Sequence, residues 1–204
     1  MSGVIAVIDY GIGNLRSAEK ALVHLGADAC LSADPDVIAG ASGVVLPGVG
    51  AFGACMDALS RCGLEEVTTA AARDGRPFLG ICIGMQMLFE GSDEAPNRKG
   101  LGVLPGRVVR LPFDVRLPQM GWNTIEAREG SRLLAGLPDP AWFYFVHSYA
   151  PEPTEERAIA GWCEYGTRFV AAIETDSVWA TQFHPEKSGD NGLTVLSNFV
   201  EACG

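Results

Sequence analysis

The stretch Phe78-Leu79-Gly80-Ile81-Cys82-Ile83-Gly84-Met85-Gln86 combines the residue types of a reactive thiol site. An apolar run that reads as a buried strand meets a glycine-flanked cysteine, and a helix-like pattern follows at once. That is the layout of a nucleophile elbow, with cysteine where G-x-S-x-G carries serine. The sharp turn strains the nucleophile's backbone and leaves no room for neighbouring side chains. Gly80 and Gly84 supply that room. The sulfur would stand at a helix N-terminus, whose partial positive charge favours the thiolate. The plain alternative is a packed cysteine, since free cysteine is among the most buried residue types. A base and an oxyanion site nearby would decide between the two.

Three histidines are available: His24, His147 and His184. His24 lies on the first expected helix and reads as a surface or packing residue. His184 ends the last expected strand, where Pro185 stops the ladder. Cys82 also ends a strand, and in doubly wound sheets chemistry gathers beyond the carboxyl ends of strands. Glu186 lies two residues past His184, so in extended backbone both side chains share a side. A carboxylate there holds the imidazole's tautomer and stabilises the imidazolium, the task of a triad's third member. His147, in Phe145-Val146-His147-Ser148-Tyr149, is the rival base.

Acyl transfer also needs donors for the developing oxyanion. Gly48, Val49 and Gly50 follow another strand, and the glycines let a backbone N–H turn toward the sulfur. The N–H of Ile83, next after the cysteine, is the expected second donor. Taken alone, Pro47 to Gly53 also fits an ordinary glycine-rich turn. Gly11-Ile12-Gly13-Asn14 is not a dinucleotide fingerprint, because Arg16 stands where the third glycine belongs. It reads as a tight turn with Asn14 capping a helix.

The elements that must position these groups alternate. Strands are expected at Val4–Asp9, Ala27–Leu31, Val44–Leu46 (closed by Pro47-Gly48) and Phe78–Cys82. Helices are expected at Asn14–Leu25, Phe52–Arg61, Leu64–Arg73 and from Met85 to Phe89. This predicts an α/β fold: a central, mostly parallel sheet with helices on both faces. Beyond Gly91, proline and glycine become frequent and short β-like runs appear at Arg107–Leu111, Trp142–Ser148, Ala158–Trp162, Phe169–Ile173 and Val178–Phe183. They predict antiparallel strands added in the C-terminal half, closed by an amphipathic helix from Gly192 to Cys203. No linker divides residues 1–204, so one domain is expected.

The 204 residues, 48% hydrophobic and 20% charged, suit one globular core. No apolar run approaches the ~20 residues that span a bilayer, and the start lacks a signal-peptide pattern. A cytoplasmic location is expected. The six cysteines form no C-x-x-C pair and no common metal spacing, so no metal and no cofactor is expected. A net charge of −10 argues against duplex nucleic acid and anionic membrane as partners.

Gly80 to Gln86 together with His184-Pro185-Glu186 resembles the class I (triad) glutamine amidotransferases, which have a flavodoxin-like fold. Asp9 to Ser17, Pro47 to Phe52, Gly121-Trp122-Asn123 and Phe145 to Tyr149 are similar to one branch, the glutaminase subunits of imidazole glycerol phosphate synthases from histidine biosynthesis. The resemblance implies that Cys82 attacks the amide of L-glutamine, that His184 protonates the departing ammonia, and that water releases glutamate from a thioester. It implies Gln86, Ser148 and Tyr149 as substrate-binding residues, and Gly48 to Gly50 as an oxyanion strand that can rest in an unproductive orientation. It also implies a heterodimer with a (β/α)8-barrel cyclase that takes up the ammonia, with Asn14, Trp122, Tyr144 and Lys187 at or near that interface. Ile83 stands where leucine is commoner, and Gln119 where histidine is frequent. Two other readings compete: an amidotransferase serving another synthase, which Gly121-Trp122-Asn123 disfavours, and a flavodoxin-like regulatory module with a redox-sensing cysteine.

Overall fold

Strand β1 (Ile5–Ile8) is four consecutive buried apolar residues, the pattern of a strand covered on both faces. The computed structural model describes residues 3–112 and 114–204. Helix α1 (Leu15–His24) leads to β2 (Ala29–Ser32), α2 (Pro35–Gly40) to β3 (Gly43–Gly48), and α3 (Phe52–Arg61) with α4 (Glu65–Ala71) to β4 (Phe78–Cys82). Helix α5 (Ile83–Met87) follows β4 without a gap. Strands β5 (Gly106–Arg110), β6 (Gln119–Ala127), β7 (Ala141–His147), β8 (Tyr149–Pro153), β9 (Ile159–Glu164), β10 (Arg168–Glu174) and β11 (Val178–Thr181) follow, and α6 (Gly189–Cys203) closes the chain.

One nine-stranded sheet runs β2-β1-β3-β4-β11-β10-β9-β6-β7, and β5 pairs with β8 apart from it. Neighbours from β2 to β11 are parallel, and those from β11 to β7 are antiparallel. Helix α1 packs with α6, while α2 to α5 pack among themselves. Right-handed crossovers that reverse direction at β1 put those two groups on opposite faces. The expected α/β fold is therefore present, and its switch in strand order lies between β1 and β3, beside the ends that carry the candidate site.

Several boundaries differ from expectation. Strand β3 runs through Pro47-Gly48, with Gly48 paired to Cys82. Strand β1 pairs with β3 only as far as Val45, so Pro47 needs no donor on that side. Helix α5 begins at Ile83 and α6 at Gly189, both earlier than the apolar spacing indicates. The expected strand Val178–Phe183 ends at Thr181, releasing Gln182 and Phe183 from the ladder. Strands β6 and β8 and helix α2 were not expected. Among the described residues, no helix is long and apolar enough to cross a membrane.

Candidate active site

Cys82 has φ 55 and ψ −109, and among the described residues it alone holds a positive φ without being glycine. Such backbone costs roughly 1 to 3 kcal/mol and persists only where its surroundings dictate it. Here they do. A Cβ on Gly84 would lie 1.8 Å from the Leu46 carbonyl oxygen, and one on Gly80 would lie 3.0 Å from the Gly84 carbonyl. The first turn of α5 is thus pressed onto β3, and β4 must bend sharply to enter it. The N–H of Ile83, first in α5, is one of the amides a helix leaves without an internal partner.

The parallel register from Val178↔Phe78 to Thr181↔Ile81 brings the end of β11 beside the elbow. The chain bends at Gln182 and Phe183, yet Gln182 and His184 both reach the elbow, Gln182 by its side-chain amide at 3.7 Å from the Cys82 sulfur and His184 in the same cavity as Cys82. Both are buried, at 0% and 1% exposure. His184 Nδ1 meets Glu186 Oε1 at 2.9 Å, with both side chains 1% exposed. Burial opposes charge on the ring, but the Cys82 sulfur and the Glu186 carboxylate outweigh it and raise the imidazole well above its ordinary pKa. Burial likewise opposes ionisation of Glu186, yet His184 and Asn14 hold its carboxyl below the usual range. His184 Nε2 has no partner of hydrogen-bond geometry. Nε2 is left available to a reacting group.

Cys82, His184, Val49, Gly50, Ile83, Gln86, Ser148 and Tyr149 all border one cavity of about 600 Å³, together with Asn14, Tyr144, His147 and Lys187. Gly48 does not line it. It lies behind, where an added Cβ would meet Gly84 N at 2.8 Å and the Tyr10 hydroxyl at 2.9 Å. Two buried donors grip this strand from below. The Tyr10 hydroxyl donates to the Pro47 carbonyl at 2.7 Å, and the Cys55 thiol to the Val49 carbonyl at 3.2 Å. Burial raises the pKa of both Tyr10 and Cys55, which keeps them protonated as donors.

Asn14 departs from its expected role as a cap. Its side chain makes no capping bond and instead donates to Glu186 Oε1 at 3.1 Å, extending the Cys82–His184–Glu186 line by one residue. Gln86 is 1% exposed, and its Nε2 donates to the Tyr149 carbonyl and to Gln182 Oε1, both at 3.0 Å. Only its Oε1 lacks a partner. His147 is excluded as the rival base, because both ring nitrogens are engaged, Nδ1 by the Tyr149 carbonyl at 2.8 Å and Nε2 by Gln119 at 3.0 Å. Burial pushes its pKa down to about 4.

Trp122 is 54% exposed. Its ring meets Tyr144 edge-on at 6.2 Å, and Lys187 Nζ lies 6.0 Å from the Tyr144 ring centre. Met120 and Trp142 are exposed on the same face of β6 and β7.

The sequence reading missed Tyr10, Cys55, Glu94 and Gln182. Only Gln182 carried a local signal, its two-residue spacing from His184. Glu94 lines the cavity and accepts from the Phe52 N–H at 2.7 Å, a link no local pattern encodes. Among the described residues no group of three or more His, Cys, Asp or Glu gathers as metal ligands would.

A buried thiol at an elbow, an imidazole with a free nitrogen and a carboxylate behind it can perform acyl transfer through a thioester. Comparison with known proteins agrees. Residues 6–203 match the model of the family glutamine amidotransferase class-I. The imidazole glycerol phosphate synthase subunit HisH of Methanothermobacter thermautotrophicus is 51% identical over 198 residues, 97% of this chain and 98% of that protein. The same subunit of Desulfitobacterium hafniense is 50% identical over 196 residues, 96% of this chain and 93% of that one. A crystal structure of a glutamine amidotransferase superposes with a TM-score of 0.78 over 99% of this chain and all of that one, at 24% identity. PurLQS from Thermotoga maritima gives 0.76 over 98% of this chain and 99% of that one, at 18% identity. At these identities the two solved structures speak for the fold alone.

Proposed function

The chain belongs to the class-I glutamine amidotransferase family, and from that premise we propose that it is the glutaminase subunit of an imidazole glycerol phosphate synthase. The observation that carries this reading is the elbow cysteine sharing one cavity with the buried His184–Glu186 pair, in a chain half identical to such subunits from end to end.

The Cys82 thiolate adds to the side-chain carbonyl carbon of glutamine, and the carbonyl electron pair moves onto oxygen. The N–H groups of Ile83 and of Val49 or Gly50, the part of the glycine strand that borders the cavity, receive that oxyanion. The His184 imidazolium passes its Nε2 proton to the amide nitrogen, the C–N bond breaks, and ammonia leaves a thioester. Neutral His184 then takes a proton from water as the water's oxygen adds to the thioester carbonyl. Collapse expels the sulfur, releasing glutamate and restoring the thiolate–imidazolium pair. Glu186, held by Asn14, keeps Nδ1 protonated throughout. Glu94, a carboxylate lining the cavity, is the group we assign to the substrate's α-ammonium, and Gln86 Oε1, Ser148 and Tyr149 to its remaining polar atoms.

The ammonia passes to a cyclase subunit, a (β/α)8 barrel, in a heterodimer in the cytoplasm. The exposed Met120, Trp122 and Trp142, with Tyr144 and Lys187 beside the cavity mouth, supply the docking face. Residues 1–204 act as one amidotransferase domain. Glutamate release from glutamine, weak for the chain alone and faster with the cyclase and its nucleotide, is expected to fall at least about a thousandfold in Cys82→Ala. Release at the parent's rate by that variant would remove the proposal.

A further inference from the structure

Resting on Cys82 as the nucleophile, the geometry points to a further group acting on its sulfur: the side-chain amide of Gln182 donates a hydrogen bond that stabilises the thiolate. Gln182 Nε2 lies 3.7 Å from Cys82 Sγ, and the residue has no exposed surface. Its backbone is pinned as well, the N–H donating to the Ala171 carbonyl at 2.8 Å. The β4–β11 register that ends at Thr181↔Ile81 sets the two residues abreast.

The direction of that amide follows from a backbone carbonyl. The Tyr149 oxygen can only accept. Gln86 therefore turns its NH2 toward it, at 3.0 Å. The same NH2 lies 3.0 Å from the Gln182 side chain, which must present its oxygen there. The end of Gln182 left to face the sulfur is the N–H end. Reversing Gln182 would set NH2 against NH2 and an oxygen against a negatively charged sulfur. His147 Nδ1 donates to the same Tyr149 carbonyl at 2.8 Å, so the acceptor from which the chain starts is fixed from two sides. An N–H bond to the charged form of a group favours that form.

The titratable groups around the sulfur are His184 with Glu186 behind it, Tyr10 from the end of β1 and Cys55 from α3. Glu94, His147, Tyr144, Tyr149 and Lys187 border the cavity it opens on. Gln182 is neutral at every pH, so replacing it by Met changes the sulfur's surroundings without adding a titration of its own, whereas Glu also adds a carboxylate beside the sulfur.

Alkylation of Cys82 by iodoacetamide, followed on the Cys82 peptide by mass spectrometry across neutral and alkaline pH, tests this on the intact chain. Gln182→Glu keeps an oxygen for Gln86 and removes the N–H from the sulfur. Gln182→Met keeps only the bulk. Both are expected to slow alkylation at neutral pH by about tenfold and to move the midpoint of the profile to higher pH. With the partner and its nucleotide present, kcat for glutamine falls while KM stays within about a factor of two of the parent's. Gln182→Met alkylating with the parent's rate and profile would overturn the proposal, since the amide would then only brace Gln86. If Gln182→Glu does not fold, as judged by its melting curve, Gln182→Met decides by the same two readouts. A parent chain that shows the shift on substitution but releases no glutamate would leave the hydrogen bond standing and sink the glutaminase reading instead.

Discussion

The imidazole of His184 and the carboxylate of Glu186 hold each other charged in a place that disfavours either charge alone. The sign of each shift fixes what pH does to the fold. His184 is raised, so its contribution is complete below the ordinary imidazole range and is lost as pH climbs through its higher folded value. Glu186 is lowered, so its contribution is present above the ordinary carboxylate range and is lost as pH falls through its depressed folded value. Glu186→Gln is expected to cost about 1 to 3 kcal/mol near neutral pH. The gap from the parent narrows at both the acidic and the alkaline end, as chemical denaturation across pH would record. A gap constant with pH would deny the pairing. Cysteine, histidine and carboxylate were legible in the sequence because each sits beside a strong local punctuation mark, a glycine pair or a proline. Asn14 reads as a cap because its helix-start position outweighs anything local that could name a partner 172 residues away.

The elbow is a property of elements, not of Cys82 alone. Helix α5 starts directly at β4 because Gly84 has no Cβ, which would run into the Leu46 carbonyl oxygen. Gly84→Ala must therefore push α5 off β3 or relax the strained cysteine. A loss of roughly 3 kcal/mol or more in unfolding free energy is expected, together with slower alkylation of Cys82. A variant as stable as its parent would show that the turn is not wedged. The parallel half of the sheet was legible because its strands are short continuous apolar runs. Strand β6 was not. Only Gln119 and Ile125 of its nine residues are buried, so no alternation marks it, and Gly121 at φ 142 resembles a turn residue. Helix α2 buries only Ile38 over six residues, too little to show a period.

Across the whole molecule, one continuous sheet carries the reactive edge at β3, β4 and β11 and the exposed aromatic face at β6 and β7. If that face receives the cyclase, Trp122→Ala should weaken heterodimer affinity by about tenfold or more, measured by titration calorimetry. Its melting temperature should change little, because half of the ring already stands in solvent. Unchanged affinity would place the docking surface elsewhere. The two regions are closer mechanically than their order in the sheet suggests. The amide N–H of His184 is bonded to the Tyr144 carbonyl at 3.0 Å, and the Ser188 hydroxyl ties the Tyr144 amide to the His184 carbonyl at 3.0 and 2.7 Å. The rim strand and the loop bearing the proton carrier are thus laced into one rigid seam, so any load that tilts the outer tyrosine has a single stitch to cross before it reaches the ring.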